Sequence, residues 1–288
     1  MTPDQRRAVV THVQGMQGSA AISERRACRF LDVHRALCRY RSRRGSDTAV
    51  RARLHVLAAA HPRWGIPRLT WLLRREGLVI NHKRVERLYR EEGLAVRRRR
   101  RDRKRVAEPR VPRPEPRAPG ERWSMDFMRD TLADGHVFRL LTVVDDFTRE
   151  CPVIELDTSL PAERVVQVLD RLAVRRALPQ TIVVDNGAEF TGRVLDAWAH
   201  ARGVALQCIR PGKPVENAYI ESFNGRLRDE CLELHWFLSL PDARHTIEQW
   251  RIGYNSARPH SGLAGRTPEE FIQQLETQTA SPTTRLSA

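Results

Sequence analysis

From residue 123 onward the apolar positions fall into short alternating or continuous runs, interrupted by stripes at helical spacing. Runs rich in β-branched and aromatic residues, each bounded by turn formers, predict strands at 123–129, 137–144, 152–156, 181–184 and 204–208. Stripes with a period near 3.6 predict helices at 162–177 and 191–202. Three strands followed by helix, strand, helix, strand and further helices make a mixed α/β sheet.

The first 95 residues carry only the helical period and divide into two similar pieces. In the first, Thr2, Pro3 and Gln5 resemble a capping box, and Ser23 can cap a helix running through Ala27 and Leu31. The chain then turns around Leu31, Asp32 and Val33 into a basic helix with Arg35, Arg39 and Arg41. The second piece has an apolar stripe of Ile66, Leu69, Leu72 and Leu73, a stop at Gly77 and a cap at Asn81. In the helix that follows, Val85, Leu88 and Tyr89 point inward and Lys83, Arg84, Arg87 and Arg90 outward, before Gly93 ends it. Both pieces suit helix-turn-helix units, and the second is the stronger candidate for reading DNA. The same pattern also suits a small helical bundle with a solvated basic face. Between the halves, residues 96–122 hold eleven Arg or Lys before Arg122 and five prolines, the composition of an extended linker. The expected domains are 1–95, helical and DNA-binding; 96–122, linker; 123–240, catalytic core; and 241–288, a helical extension and tail.

Charge sharpens this division. Residues 1–122 carry 32 Lys and Arg against 12 Asp and Glu, a net of +20, whereas the remainder carries 18 against 23, a net of −5. A strongly cationic front joined to a weakly acidic body suits a DNA-binding module attached to a catalytic one. No apolar run of membrane-spanning length exists, and the first residues, MTPDQRRAVV, lack the apolar stretch of a signal peptide. These features predict a cytoplasmic, nucleoid-associated protein with no membrane partner. The five cysteines are odd in number and scattered, without a Cys-x-x-Cys pair, so neither a disulfide framework nor a structural zinc site is expected.

Three carboxylates carry the candidate chemistry. In WSMDF, strand alternation sets Trp123, Met125 and Phe127 on one face and Ser124, Asp126 and Met128 on the other. A mid-strand carboxylate among apolar neighbours needs a cation or a hydrogen-bond partner. In TIVVDNGAEF an apolar strand delivers Asp185 at its carboxyl end, where ligand sites of α/β sheets gather, although taken alone a strand-to-turn role explains this residue better. In NAYIESFNGRLRDECL, the residues Ile220, Phe223, Leu227 and Cys231 line the buried side of a helix. Asn217, Glu221, Asn224 and Arg228 fall along the opposite side.

Asp185 and Glu221 have 35 residues between them, and Arg228 stands seven beyond the glutamate. This spacing resembles the D,D(35)E pattern of the retroviral-integrase and insertion-sequence transposase superfamily. The words WSMDF, VVDDFTRE, DNGAEF, RPGKPVENAYIESFNGRLRDE and YNSARPHSGLAGRTPEEF are similar to the second-reading-frame product of insertion sequences that make their transposase by frameshifting. The likeness runs from the HPRWGIPRL region to Phe271.

The resemblance implies a ribonuclease H-like mixed-sheet core preceded by an all-helical DNA-binding region. It also implies DNA cleavage and strand transfer by Asp126, Asp185 and Glu221 holding two magnesium or manganese ions per active site. The partners it implies are double-stranded DNA (element ends and target), the upstream-frame transposase product and further copies of the chain. Arg228 is expected to meet DNA phosphate, or else to form a surface salt bridge. The DNA-contacting set is Lys83, Arg84, Arg87, Arg90, Arg97, Arg98, Arg99, Arg100, Arg101, Lys213 and Arg228, with Arg210, Gly212, Lys213 and Pro214 in a loop bordering the site. Asp145 and Asp146 are expected to shape a strand end, and Ser124, Ser222 and the tyrosines are not read as covalent nucleophiles. Tyr254, Asn255, Arg258 and His260 match the family's C-terminal signature, with packing of the final helix as the plainer reading. The rival functions are a DNA-binding repressor with a decayed core and a structure-selective nuclease on the same fold.

Overall fold

The computed structural model describes residues 3–15, 22–40, 47–94, 114–187, 190, 192–210 and 217–280. The chain forms two compact units, Met1–Val50 and Arg51–Ala288. In the first, α1 (Pro3–Gly15), α2 (Glu24–Phe30) and α3 (Arg35–Arg39) bury Val10, Ala27, Cys28 and Val33 together. Ser23 caps α2 by accepting from the Arg26 N–H at 3.4 Å, and Asp32 makes the turn at a φ of +51°. Glu24 accepts from Arg35 and Arg39 at 3.1 and 3.0 Å, tying the basic helix back to α2. The expected helix, turn and basic helix are thus present; Thr2 and Arg41 lie outside the described residues.

The second unit begins within α4 (Thr48–Ala60), followed by α5 (Ile66–Arg75) and α6 (His82–Glu91). Asn81 caps α6 by accepting from the Lys83 N–H at 3.0 Å, while Gly77 and Gly93 end α5 and α6 at φ of +83° and +66°. Leu69 and Leu73 of α5 and Val85, Leu88 and Tyr89 of α6 are buried as expected. The apolar pattern does not single out α4, whose buried Val50, Leu54 and Leu57 stand among exposed alanines and arginines. Its placement comes instead from charge: Arg53 pairs with Glu76 at 2.7 and 2.6 Å, His55 with Glu92 at 2.7 Å, and Arg51 with Glu91 and Glu92.

The second unit also contains one five-stranded sheet. Its strands are β1 (Arg122–Thr131), β2 (Val137–Asp145), β3 (Val153–Asp157), β4 (Thr181–Val184) and β5 (Ala205–Cys208), ordered β3-β2-β1-β4-β5. The first three form an antiparallel meander, and β4 and β5 run parallel to β1. Trp123, Met125 and Leu141 face α7 (Ala162–Arg175) and α8 (Arg193–Arg202). Met128, Phe138 and Leu140 face α9 (Ala218–Glu230) and α10 (Leu240–Ser256). The alternation in WSMDF therefore splits the two cores as expected, and each large side chain fully buried there contributes about 1.5–3 kcal/mol. This three-layer arrangement is the ribonuclease H-like fold.

Asp145 and Asp146 do shape a strand end. Asp145 accepts from the Phe147, Thr148 and Gly120 N–H groups at 2.9, 2.8 and 2.8 Å and from the Trp123 indole at 3.2 Å. Asp146 accepts from Ser124 Oγ at 2.7 Å and Arg122 Nε at 2.6 Å.

The C-terminal signature is also structural. Tyr254 is buried in the α9 and α10 core, and Asn255 both donates to and accepts from the Cys151 backbone at 2.9 Å. Arg258 donates from Nε and Nη2 to Glu230, at the end of α9, at 2.7 and 2.6 Å. Two groups from α5 and its approach also reach Glu230: the Trp64 indole at 3.2 Å and Arg68 Nη1 at 3.3 Å. Burial alone would raise the Glu230 pKa, but the Arg258 hydrogen bonds, the Arg258 and Arg68 charges and the Trp64 N–H outweigh it and hold the carboxyl below its ordinary value. A lowered carboxyl pKa stabilises the fold above the unfolded pKa, and that contribution is lost as pH falls through the folded one. Glu230→Gln should therefore cost roughly 3 kcal/mol at pH 7, by leaving two arginines without their counter-charge. In chemical denaturation the difference from wild type should shrink as pH falls below the ordinary glutamate pKa of about 4.3.

Candidate active site

Asp126 lies in the middle of β1, paired across to Thr142 of β2. On the other side, β1 pairs with β4 as Arg122 to Thr181, Trp123 to Ile182 and Ser124 to Val183. Two residues further in the same register stand Asp126 and Asp185. Asp185 follows the last residue of β4, and its Oδ1 accepts from the Gly187 N–H at 2.9 Å. The turn is pinned by Asn186 Nδ2 donating to the Ile209 carbonyl at 2.9 Å and by Phe190, which stacks on Phe127 with centroids 4.7 Å apart.

α9 supplies the third carboxylate and an unexpected partner. Asn224 Nδ2 donates to Asp126 Oδ2 at 2.7 Å, and the Phe127 N–H donates to Oδ1 at 2.8 Å. The Thr142 hydroxyl sits 2.9 Å from Asn224 Oδ1 and 3.1 Å from the Asp126 carbonyl, which fixes the direction of the amide. Asn217 Nδ2 donates to the Met125 carbonyl at 3.5 Å.

The sequence assigned Asn217 and Asn224 to a face opposite the apolar one, and this is corrected: both are buried, at 4% and 8% exposure, against the sheet. At about 100° per residue the stripe borders the apolar face rather than opposing it. Asn224 lies on the inner edge and Glu221 on the outer. Glu221 and Arg228 are exposed, and Arg228 forms no ion pair among the described residues.

Electrostatics links the three carboxylates. The Asp126 pKa is pushed up to about 6, first by burial and then by the negative charges of Asp185 and Glu221, against the hydrogen bonds from Phe127 and Asn224. Such a site favours a cation. Its donors fit a hard divalent metal: Asp185 Oδ2 has no hydrogen-bond partner among the described residues, and Asn217 Oδ1 is buried without one. In this conformation no three acidic, histidine or cysteine side chains among the described residues converge closely enough to hold a metal ion.

The other sequence candidates divide. Lys83 and Arg90 are exposed and Arg84 and Arg87 half-buried on α6. Arg90 pairs with Glu86 at 2.6 Å and Arg87 with Glu91 at 2.9 Å. Arg97, Arg98, Arg99, Arg100, Arg101, Gly212, Lys213 and Pro214 lie outside the described residues. No helix among the described residues is long and apolar enough to cross a membrane.

Comparison with known proteins agrees with this arrangement. Residues 116–214 and 202–268 match models of the integrase core domain, and residues 46–102 match an HTH-like domain. The chain is 49% identical over 251 residues to an uncharacterized 31.7 kDa protein of insertion element IS407 from Burkholderia multivorans (strain ATCC 17616 / 249), covering 87% of this chain and 90% of that one. It is 44% identical to a 39.2 kDa protein of insertion element IS476 from Xanthomonas euvesicatoria, covering 93% and 78%. To a putative transposase of insertion sequence IS150 from Escherichia coli (strain K12) it is 30% identical, covering 74% and 78%. The chain belongs to the insertion-sequence transposases with an integrase-type core. It is an enzyme of the polynucleotidyl-transferase type that serves transposition and DNA integration.

A raised carboxyl pKa makes ionised Asp126 a burden on the fold above pH 6, a burden absent below the unfolded pKa of about 3.9. In buffer with a chelator, Asp126→Asn should raise the melting temperature at pH 7.5 by several degrees, from a ceiling of about 3 kcal/mol. The gap should close as pH falls through 6 and vanish near pH 4. A gap independent of pH in calorimetry would contradict this.

Proposed function

We propose that Asp126, Asp185 and Glu221 are the catalytic carboxylates of DNA cleavage and strand transfer. The observation that carries the reading is the Asp126 carboxylate itself: it is hydrogen-bonded from the helix that bears Glu221 and made less acidic by the charges of Asp185 and Glu221. Magnesium or manganese, two ions per site, would supply activation of the attacking water or 3′-hydroxyl and stabilisation of the leaving oxygen.

The chain's own residues do the rest. Asp126 and Asp185 present oxygens from adjacent strand positions, and Asn224 fixes the rotamer of Asp126. Glu221 is carried by α9 over the same strand ends.

The helical region 1–95 and the linker 96–122 hold DNA, the region 123–240 performs the chemistry, and 241–288 supports it. On α6 the phosphate contacts are Lys83, Arg84, Arg87 and Arg90. The surface pairs of Arg87 and Arg90 are worth at most about 1 kcal/mol each and yield readily to a phosphate. Arg97 to Arg101, Lys213 and Arg228 complete the track. The enzyme works in the cytoplasm, as a homo-oligomer joining two element ends, with the upstream-frame product as a further partner.

Asp126→Asn, Asp185→Asn and Glu221→Gln should each abolish strand transfer in magnesium while leaving DNA binding largely intact, because the amides keep shape but ligate magnesium poorly. Near wild-type joining by any one removes that residue from the set. Asn224→Ala should lower joining by about 10–100-fold, the usual effect of losing a group that orients a ligand. A fragment beginning at Trp123 should bind duplex DNA more weakly and with a shallower salt dependence than the full chain, since the +20 front is gone. Equal affinity and slope in filter binding would assign the DNA contacts to the core.

A further inference from the structure

We propose that one face of α5 is a docking surface that fixes the distance between DNA read by the helix-turn-helix-like segment and the phosphate cut in the catalytic core, with Arg68 as its principal positioning residue. The inference rests on the reading of Asp126, Asp185 and Glu221 as the cutting site.

Arg68, Trp71 and Arg75 recur at spacings of three and four, so they share one face of α5. Leu69 and Leu73, both fully buried, belong to another face. The Arg68 face meets the catalytic core at one point and the C-terminal extension at a second. At the first, Arg68 Nη1 donates to Glu230 Oε1 at 3.3 Å, beside the Trp64 indole bond of 3.2 Å. At the second, Arg75 Nη2 donates to the Gly265 carbonyl at 3.0 Å and to Glu270 at 2.5 Å. The Trp71 indole lies so close to Gly265 that a Cβ there would fall 2.5 Å from its nitrogen.

These contacts end on the elements that define the active site. Glu230 closes the helix that carries Glu221 and Asn224, and Arg258 holds it from the C-terminal segment that also contains Gly265 and Glu270. The Arg68 side chain is 25% exposed and that of Glu230 only 8%, so the pair is shielded from salt and solvent far better than an ion pair on a free surface. Docking through α5 leaves Lys83 and Arg90 of α6 exposed to DNA. A recognition helix tied rigidly to the catalytic helix sets a constant span from recognised base pairs to scissile phosphate.

Arg68→Gln is the informative variant, because Glu230 keeps both Arg258 hydrogen bonds and the core keeps its packing. Full-length wild type, Arg68→Gln and Arg68→Gln/Arg75→Gln would be compared on labelled element-end DNA, measuring equilibrium binding and mapping cleavage at nucleotide resolution. The expected result is end affinity within about twofold of wild type, at least tenfold less cutting at the wild-type phosphate, and new cuts at neighbouring phosphates. A purely structural lesion lowers the active fraction without moving the cut. Cleavage confined to the wild-type phosphate, at any rate, overturns the proposal, and so does a loss of affinity matching the loss of cutting. Glu221→Gln in parallel separates the two readings: if it still cuts, the catalytic assignment has failed, whatever Arg68→Gln does.

Discussion

Asp126 sits mid-strand between β2 and β4, where its ionisation is opposed by burial and by two neighbouring carboxylates. Two hydrogen bonds, from Asn224 and from the Phe127 N–H, offset only part of that cost. The surrounding architecture follows from having to tolerate this group. The α7 and α8 face of the sheet is filled by apolar side chains, whereas the α9 face admits an amide, a hydroxyl and a carboxylate at one point. Asn224 and Thr142 restrain each other, so Asp126 is held in one rotamer before any cation is bound. Keeping negative charge in place here costs fold stability, a trade-off commonly found where a group serves function rather than folding.

Glu230 shows the opposite solution to the same problem. It too is a largely buried carboxylate, but two arginines and an indole N–H surround it and hold its pKa below the ordinary value. Asp126 meets α9 at Asn224, near the middle of the helix, whereas Glu230 closes its C-terminal end with its charge already satisfied. Tyr254 and Arg258 of the C-terminal segment hold the far end of the helix that bears Glu221.

The strands were legible because alternation in WSMDF and the apolar run TIVV are local signals, and the observed strands begin and end within two residues of their expected bounds. The proximity of Asp126 and Asp185 follows from two strands whose register could be guessed from fold class. Asn224 was not legible as a partner of Asp126, because its position at the inner edge of a polar stripe depends on how α9 is rotated against the sheet. α4 was missed since its apolar contrast is weak and its partners Glu76, Glu91 and Glu92 are distant in sequence. Arg68, Trp71 and Arg75 lie off the apolar stripe of Ile66, Leu69, Leu72 and Leu73, and nothing near them in sequence marks a partner. Their role depends on Glu230, Gly265 and Glu270, more than 160 residues away.

Whether Asp126, Asp185 and Glu221 form one cation site is open to direct experiment. Diffraction from crystals soaked in manganese, recorded at the manganese absorption edge, tests it directly. Anomalous peaks are expected within ligand distance of Asp126 and Asp185, with Glu221 drawn in from its exposed position, and those peaks are expected to be lost in Asp185→Asn. Manganese bound elsewhere while Asp126 and Asp185 keep only their present hydrogen bonds would contradict a shared site.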